Sequence, residues 1–377
     1  MSRNGSTTIR SVPRVFLHRL LAVVIGAVLM AAAIPVRASE PRASDPVPTL
    51  AYYYIWYDTG SWNRAKTDYP LLGRYSSDDR YVMRQHIEWA KAAGIDGFIV
   101  SWKSTDVLNR RLQQLTDLAE EENFKLAIIY QGLDFNRNPL PADRVATDLD
   151  YFIKNFASRR PFQLFQRPMV IWSGTWEFSA QDIQRVTQGR RNSLLILGSQ
   201  KNVSGYENIA SLVDGDAYYW SSVNPDTYSG YQDKLAAMAQ AVHAHQGLWI
   251  PPAAPGFDAR LIGGTSVVDR KNGETLRTQI NTAMSSSPDA LGIISWNEFS
   301  ENSYIEPSKK YGAQYLDILS QINHLPTPNI PDFDSSLPSG RFPEIFPHSR
   351  AIALGTIAAM IIVAFVFISR RSHGVSR

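Results

Sequence analysis

The chain has 377 residues, 44% of them apolar and 11% aromatic, and no cysteine. That is enough apolar material for one large core with tails, and it excludes a disulfide framework, a thiol nucleophile and a thiolate metal site. The formal charge of +3 comes from the ends: residues 1–38 carry five Arg and residues 350–377 four, with no acid in either, which leaves 29 basic against 35 acidic residues between them. A mildly acidic body argues against nucleic acid as a partner, and basic ends fit a membrane.

Arg3, Arg10, Arg14 and Arg19 precede the apolar run 20–34, and Val36-Arg37-Ala38 offers a small-residue boundary. This order predicts a signal peptide over 1–38, or an N-terminal anchor if the segment is retained. Residues 39–48 read as a linker into a domain spanning 49–323. The domain opens on the strand-like run Thr49–Tyr57. Ser77-Asp78-Asp79 then caps a helix whose apolar Met83, Ile87 and Ala90 recur at i, i+4 and i+7, and Gly94 stops it. Strand 96–102, helix 107–124, strand 125–131, helix 142–156 and strand 168–173 follow. Further strands are expected at 193–199, 216–221, 248–251 and 291–295, with a helix at 231–245 before the third of these. Eight strands alternating with helices over roughly 275 residues predict an α/β fold, a (β/α)8 TIM barrel. No Gly-rich dinucleotide loop follows any strand, which disfavours an open doubly wound sheet.

Past the domain, residues 324–350 form a Pro-rich tether, with Pro326, Pro328, Pro331, Pro338, Pro343 and Pro347. Residues 351–369 are predicted as a transmembrane helix, because Ala351 to Ile368 carries no charge and Ser369-Arg370-Arg371 follows. Residues 370–377 would be its basic cytoplasmic tail. Positive-inside logic puts the body outside the cytoplasm, and the lack of cysteine leans toward a prokaryotic cell surface. The run Phe342–Pro347, the apolar stretch and Arg-Arg also look like the three-part C-terminal sorting signals of some prokaryotic surface proteins.

The chemistry concentrates after the last strand. From Gly292 to Pro307 the chain passes from apolar to polar and delivers Glu298 and Glu301 three residues apart, beside Trp296, Asn297, Phe299 and Tyr304. A helical turn there would put both carboxylates on one side. Glycosidic bond cleavage needs such a pair, one carboxyl protonated toward the leaving oxygen and the other ionised as base or nucleophile. An isolated Glu-x-x-Glu is ordinarily a solvated acidic loop, but a position after the last barrel strand favours a site. Aromatic and polar groups follow the other strands: Tyr54, Trp56, Trp102, Tyr130, Gln131, Trp172, Tyr219, Trp220 and Asp258. With Asn297 and Tyr304 they are the candidate sugar contacts, since rings at a polar rim stack on sugar faces. Core packing is the ordinary fate of any single Trp among them. Glu306 is expected to be structural or a substrate contact. The seven His fall in tails, tether or predicted helices, and neither a phosphate loop nor a G-x-S-x-G elbow occurs. No metal and no cofactor is therefore expected.

These blocks resemble a known family. Ala51 to Trp56 is similar to the opening strand of glycoside hydrolase family 99, the endo-α-mannosidase group, and Gly94 to Trp102 resembles its second strand. Val213 to Trp220, Pro251 to Asp258 and Arg270 to Gly273 look like later blocks. Trp296-Asn297-Glu298-Phe299-Ser300-Glu301 with Ile305-Glu306-Pro307 resembles the catalytic block. The likeness runs over nearly all of 49–320 and implies the barrel fold. It also implies that Glu301 is the general acid/base and that Glu298 deprotonates the sugar 2-hydroxyl, giving an anhydro-sugar and net retention. Ser300 stands where the family has His, Asn302-Ser303-Tyr304 replaces Gly-Thr-Gln, and a family Glu at the third strand falls on Tyr130 or Gln131. The block also resembles the Trp-Asn-Asp-x-x-Glu of family 71, the α-1,3-glucanases. Together these imply a membrane-tethered, extracytoplasmic glycosidase for an α-linked mannan or glucan. The alternatives are an idle barrel that binds carbohydrate and an accessory protein of surface polysaccharide assembly.

Overall fold

The computed structural model describes residues 46–64 and 66–331. The expected signal or anchor segment, the transmembrane helix, the basic tail and most of the linker and tether lie outside the described residues. Among the described residues no helix is long and apolar enough to cross a membrane.

Five strands follow one another in parallel: β1 (Thr49–Tyr54), β2 (Gly97–Trp102), β3 (Lys125–Gln131), β4 (Met169–Ser173) and β5 (Leu195–Leu197). The chain continues through β6 (Gly215–Ala217), β7 (Leu248–Ile250) and β8 (Pro252–Ala253). A small antiparallel ribbon comes next, β9 (Phe257–Asp258) with β10 (Val267–Val268), and then β11 (Leu291–Ile293), which pairs with both β8 and β1. β7 and β8 are one strand interrupted by Pro251, whose carbonyl still accepts the Gly292 amide at 3.0 Å. β5 meets β6 through a parallel bridge between Gly198 and Asp216, and β6 pairs with β7. Hydrogen bonding therefore runs round the whole ring, which has eight strand positions and is TIM-barrel-like. Gly215 makes the β6–β7 approach possible: its φ is +149°, and a Cβ there would stand 2.1 Å from the Leu248 carbonyl oxygen.

A helix follows each strand position: α1 (Arg80–Ala92), α2 (Asp106–Glu121), α3 (Ala142–Asn155), α4 (Ala180–Thr187), α5 (Val203–Glu207), α6 (Tyr231–Ala244), α7 (Glu274–Met284) and α8 (Gln314–Ile322). Asp79 caps α1 by accepting the amides of Tyr81 and Val82, and Gly94 ends it at φ +81°. α4, α5, α7 and α8 are short and were not singled out from the sequence. Several expected strands are trimmed, among them the last, which ends at Ile293 instead of Ser295. The fifth keeps only 195–197, and the sixth ends at Ala217 because Tyr218 makes the last link to β7, through the Ile250 carbonyl. β1 likewise stops at Tyr54, where the carbonyl of the next residue, Ile55, is taken by the Arg111 guanidinium instead of a neighbouring strand.

Side chains alternate across the ring. Leu50, Tyr52, Ile99, Ala127, Ile129, Met169, Ile171 and Ile250 fill the interior, while Ala51, Tyr53, Phe98, Val100, Ile128 and Val170 pack between sheet and helices.

Candidate active site

The turn carrying both carboxylates is built from the last strand outward. After β11 the chain doubles back, so that Ser295 donates its amide to the Ser303 carbonyl (2.7 Å) and Ile305 returns its own to Ser295 (2.9 Å). Within this closed loop the Glu298 amide donates to Ser295 Oγ (2.8 Å), and the Ser300 amide donates to Glu298 Oε1 (2.9 Å). The Glu301 carbonyl accepts the amide of Asp258 at 2.8 Å. The segment is not a helical turn, contrary to the sequence expectation, since these side-chain and long-range bonds replace the i to i+4 ladder. Asn297 locks the loop to the end of β1. Its carboxamide accepts the Tyr54 amide (2.8 Å) and donates to the Tyr54 carbonyl (3.0 Å), while Tyr57 donates its hydroxyl to the Asn297 carbonyl (2.7 Å).

Glu298 is buried and Glu301 partly so. Burial, reinforced by the charge of Glu301, pushes Glu298 up to about 7, against the opposing Ser300 hydrogen bonds and the Lys66 charge. Burial also raises Glu301, with the Arg137 guanidinium pulling the other way. Two carboxylates in each other's field in a dry site hold their last proton well above the ordinary range. The pair thus offers an acid and a base at once near neutral pH.

Tyr54 and Tyr219 face this pair, hydroxyl to hydroxyl at 2.5 Å, and Tyr219 also packs edge-on to Tyr52 with ring centroids 5.0 Å apart. Burial first, then the two carboxylates, keep both phenols far above their usual range; Tyr219 adds to the rise of Tyr54, while the hydrogen bond from Tyr54 pulls Tyr219 the other way, and both act as neutral hydrogen-bond donors. Trp56 lies over Tyr54 with ring centroids 4.4 Å apart and is 43% exposed, a free aromatic face beside the site. The interior parity of Ile99, Ile129 and Ile171 extends to Ser101, Gln131 and Ser173, and Gln131 donates to Ser101 Oγ at 3.0 Å.

Other candidates lie elsewhere. Trp102, Tyr130 and Trp172 are fully buried on the helix side of the sheet, one residue out of phase with the interior. Trp102 donates to Asn109 (3.0 Å), Tyr130 donates to Asp148 (3.0 Å), and Trp172 packs edge-on to Phe178. These three are corrected from sugar contacts to packing residues of the outer layer. Tyr304 is also buried, stacked on Phe299 and donating to Asp68 Oδ2 at 2.6 Å. Trp220 is half-buried under the Lys234 ammonium and among Tyr218, Tyr228 and Tyr231. The Asp258 side chain pairs with Arg260 (2.7 Å). Glu306 is buried behind the site, accepting from Tyr75 (2.9 Å) and paired with His86 (2.9 Å), which also meets the Tyr53 hydroxyl (3.0 Å). Sequence reasoning missed Lys66 and Arg137, because both sit in loops without periodicity.

A closed β/α ring with a buried carboxylate pair after its last strand and neutral phenols against that pair has the layout of a barrel hydrolase. The profile of glycosyl hydrolase family 99 matches residues 61–325, so the chain belongs to that family and is a glycosidase. It is 21% identical over 347 residues to the glycoprotein endo-alpha-1,2-mannosidase of Rattus norvegicus, covering 75% of this chain and 74% of that one. Against a glycoprotein endo-alpha-1,2-mannosidase-like protein of Mus musculus it is 23% identical over 361 residues, covering 75% and 78%. Among solved structures, the GH99 endo-alpha-mannosidase from Bacteroides thetaiotaomicron superposes with a TM-score of 0.65 at 20% identity, over 73% of this chain and 96% of that one, a likeness of fold.

Proposed function

We propose that this glycosidase is endo-acting on an α-mannan-type glycan, with Glu301 and Glu298 as its working carboxylates. The observation that carries the reading is the two carboxylates held on one closed turn between Ser295 and Ser303, Glu298 buried and within the field of Glu301, and faced by the hydrogen-bonded Tyr54 and Tyr219. The relatives' names support the mannan substrate and the endo mode. In the reactive microstate the pair's proton is on Glu301, which gives it to the departing glycosidic oxygen. Glu298 takes the proton of the sugar 2-hydroxyl, whose oxygen closes on the anomeric carbon as the bond to the leaving group breaks. Water then opens this anhydro-sugar, giving its proton to Glu301 while Glu298 returns the other to the 2-oxygen, with net retention. This order follows from the family resemblance of the Glu298–Glu301 block.

The site is also proposed to work outside the cytoplasm on a membrane tether, a placement supported by the sequence of 1–38 and 351–377 and by the acidic body between basic ends. The test is incubation with α-mannans and α-1,3-glucans, products being read by mass spectrometry and anomer-resolved NMR. Oligosaccharides of retained configuration are expected from mannan. Glu298→Gln and Glu301→Gln should each lower turnover by at least ~10² while folding persists. Wild-type rates in either variant would remove that residue from the mechanism.

A further inference from the structure

The loops around the mouth carry cations that their own side chains leave unmatched. Lys66 lies in the loop after β1, which is pinned just beyond it to the end of the carboxylate turn: Thr67 donates its hydroxyl to Asn302, and Asp68 accepts that of Tyr304 (2.6 Å). The ammonium is half-buried and within the field of Glu298. Arg137 occupies the tip of the loop after β3, at φ +67°, where Asp134 fixes the turn by accepting the amides of Asn136 and Asn138 (both 2.8 Å). Its charge reaches Glu301. Among the described residues neither cation makes an ion pair, whereas Arg260 and Lys271 on the loop after β8 are matched by Asp258 and Asp226.

Two more cations lie over aromatic faces on loops that follow the strands, at the same end of the ring. Lys103, after β2, is 5.4 Å from the ring centroid of Phe135, a wholly exposed side chain. Lys201, after β5, is 4.5 Å from that of Trp176, after β4. One cation beside Glu298 would serve the ionisation of that carboxylate alone. Four of them, on loops from β1, β2, β3 and β5, two lying over the wholly exposed Phe135 and the half-buried Trp176, form a surface suited to sugars bearing negative charge.

We propose that the glycan cleaved here is anionic: a polysaccharide whose carboxylate, phosphate or sulfate groups pair with Lys66 and Arg137 on either side of the scissile bond. Lys103–Phe135 and Lys201–Trp176 hold its further residues. This rests on the glycosidase reading of the site and narrows the substrate class.

The test is affinity electrophoresis of the full-length chain carrying Glu301→Gln, so that nothing is consumed. The gels contain neutral α-mannan, the same mannan oxidised to carboxylate at C6, or the same mannan phosphorylated or sulfated. Retention on an acidic polymer should be about tenfold tighter than on the neutral one, with the arms separating carboxylate from phosphate and sulfate. Adding Lys66→Gln or Arg137→Gln should weaken it about three- to tenfold, while Lys154→Gln on the exposed face of α3 removes the same charge without effect. Equal retention on neutral and acidic polymers, no retention on any, or acidic retention that survives both substitutions would overturn the proposal. Product release by the wild type separates the two readings. Cleavage of neutral mannan alone would leave the glycosidase reading standing and defeat the charge. Retention through Lys66 and Arg137 with no cleavage of any polymer would do the reverse.

Discussion

Glu298 has a neighbour that strengthens its hold on a proton, Glu301, and one that weakens it, Lys66. Above about pH 7 the pair loses its last proton and with it the acid, so kcat/KM should fall there; it should also fall in acid, as a second proton occupies the base. Lys66 favours the ionised carboxylate, so Lys66→Gln should move the alkaline limb to higher pH on a neutral substrate. An unmoved or lowered limb would contradict the placement of that ammonium. The same residue sets a stability trend. The folded state binds the Glu298 proton more tightly than the unfolded chain does, so its contribution is fully present below an ordinary 4.5 and is lost as pH rises through about 7. Glu298→Gln carries no such loss. Its thermal midpoint should therefore exceed that of the wild type at pH 8 but not at pH 4, with a gap worth about 1–3 kcal/mol. Equal midpoints across that range would mean that the carboxylate is solvated.

At the scale of elements the decisive variable is strand parity. Trp102, Tyr130 and Trp172 end or nearly end β2, β3 and β4 as Trp56 follows β1, and composition does not distinguish them. The pleat does, because their inward neighbours are Ser101, Gln131 and Ser173. Trp102→Ala should cost about 3–5 kcal/mol, since it empties a packed position between sheet and α2. Trp56→Ala should leave the thermal midpoint nearly unchanged and weaken substrate binding about 2- to 10-fold, the scale of one aromatic contact. Denaturant unfolding and KM together check the pair, and the opposite pattern would reverse the assignment of faces. The carboxylates were legible because an abrupt apolar-to-acidic change marks the end of a last strand. The inner wall was less so, since β5, β6 and β7 show only three-residue strands and the ring closes there through one bridge and a Pro-interrupted strand. Lys66 and Arg137 had no signal at all, because loop residues reach a site by tertiary folding rather than by period.

For the whole molecule, the sequence separates into an acidic body and two basic ends, and the proposed anionic substrate adds a tension. A body with 35 acidic against 29 basic residues repels polyanions at long range, so binding must come from cations concentrated at the mouth. Raising salt screens both effects, and the long-range repulsion is lost first. A tether would answer the same problem by holding the mouth near its polymer, substituting effective concentration for long-range attraction. The stretch 351–368 covers about 27 Å if helical, close to a hydrocarbon core of ~30 Å. Full-length chain should accordingly sediment with membranes after alkaline carbonate washing, whereas residues 47–331 should remain soluble. On short soluble oligosaccharides the two should turn over at rates within about twofold, because the ring and its loops are common to both. On polysaccharide displayed at a membrane surface the full-length chain should be faster by about 10²-fold, the gain expected of a tether. Recovery of the full chain in the soluble fraction would refute the anchor. Equal rates on displayed polymer, with the chain still in the membrane, would show that the site faces away from its substrate.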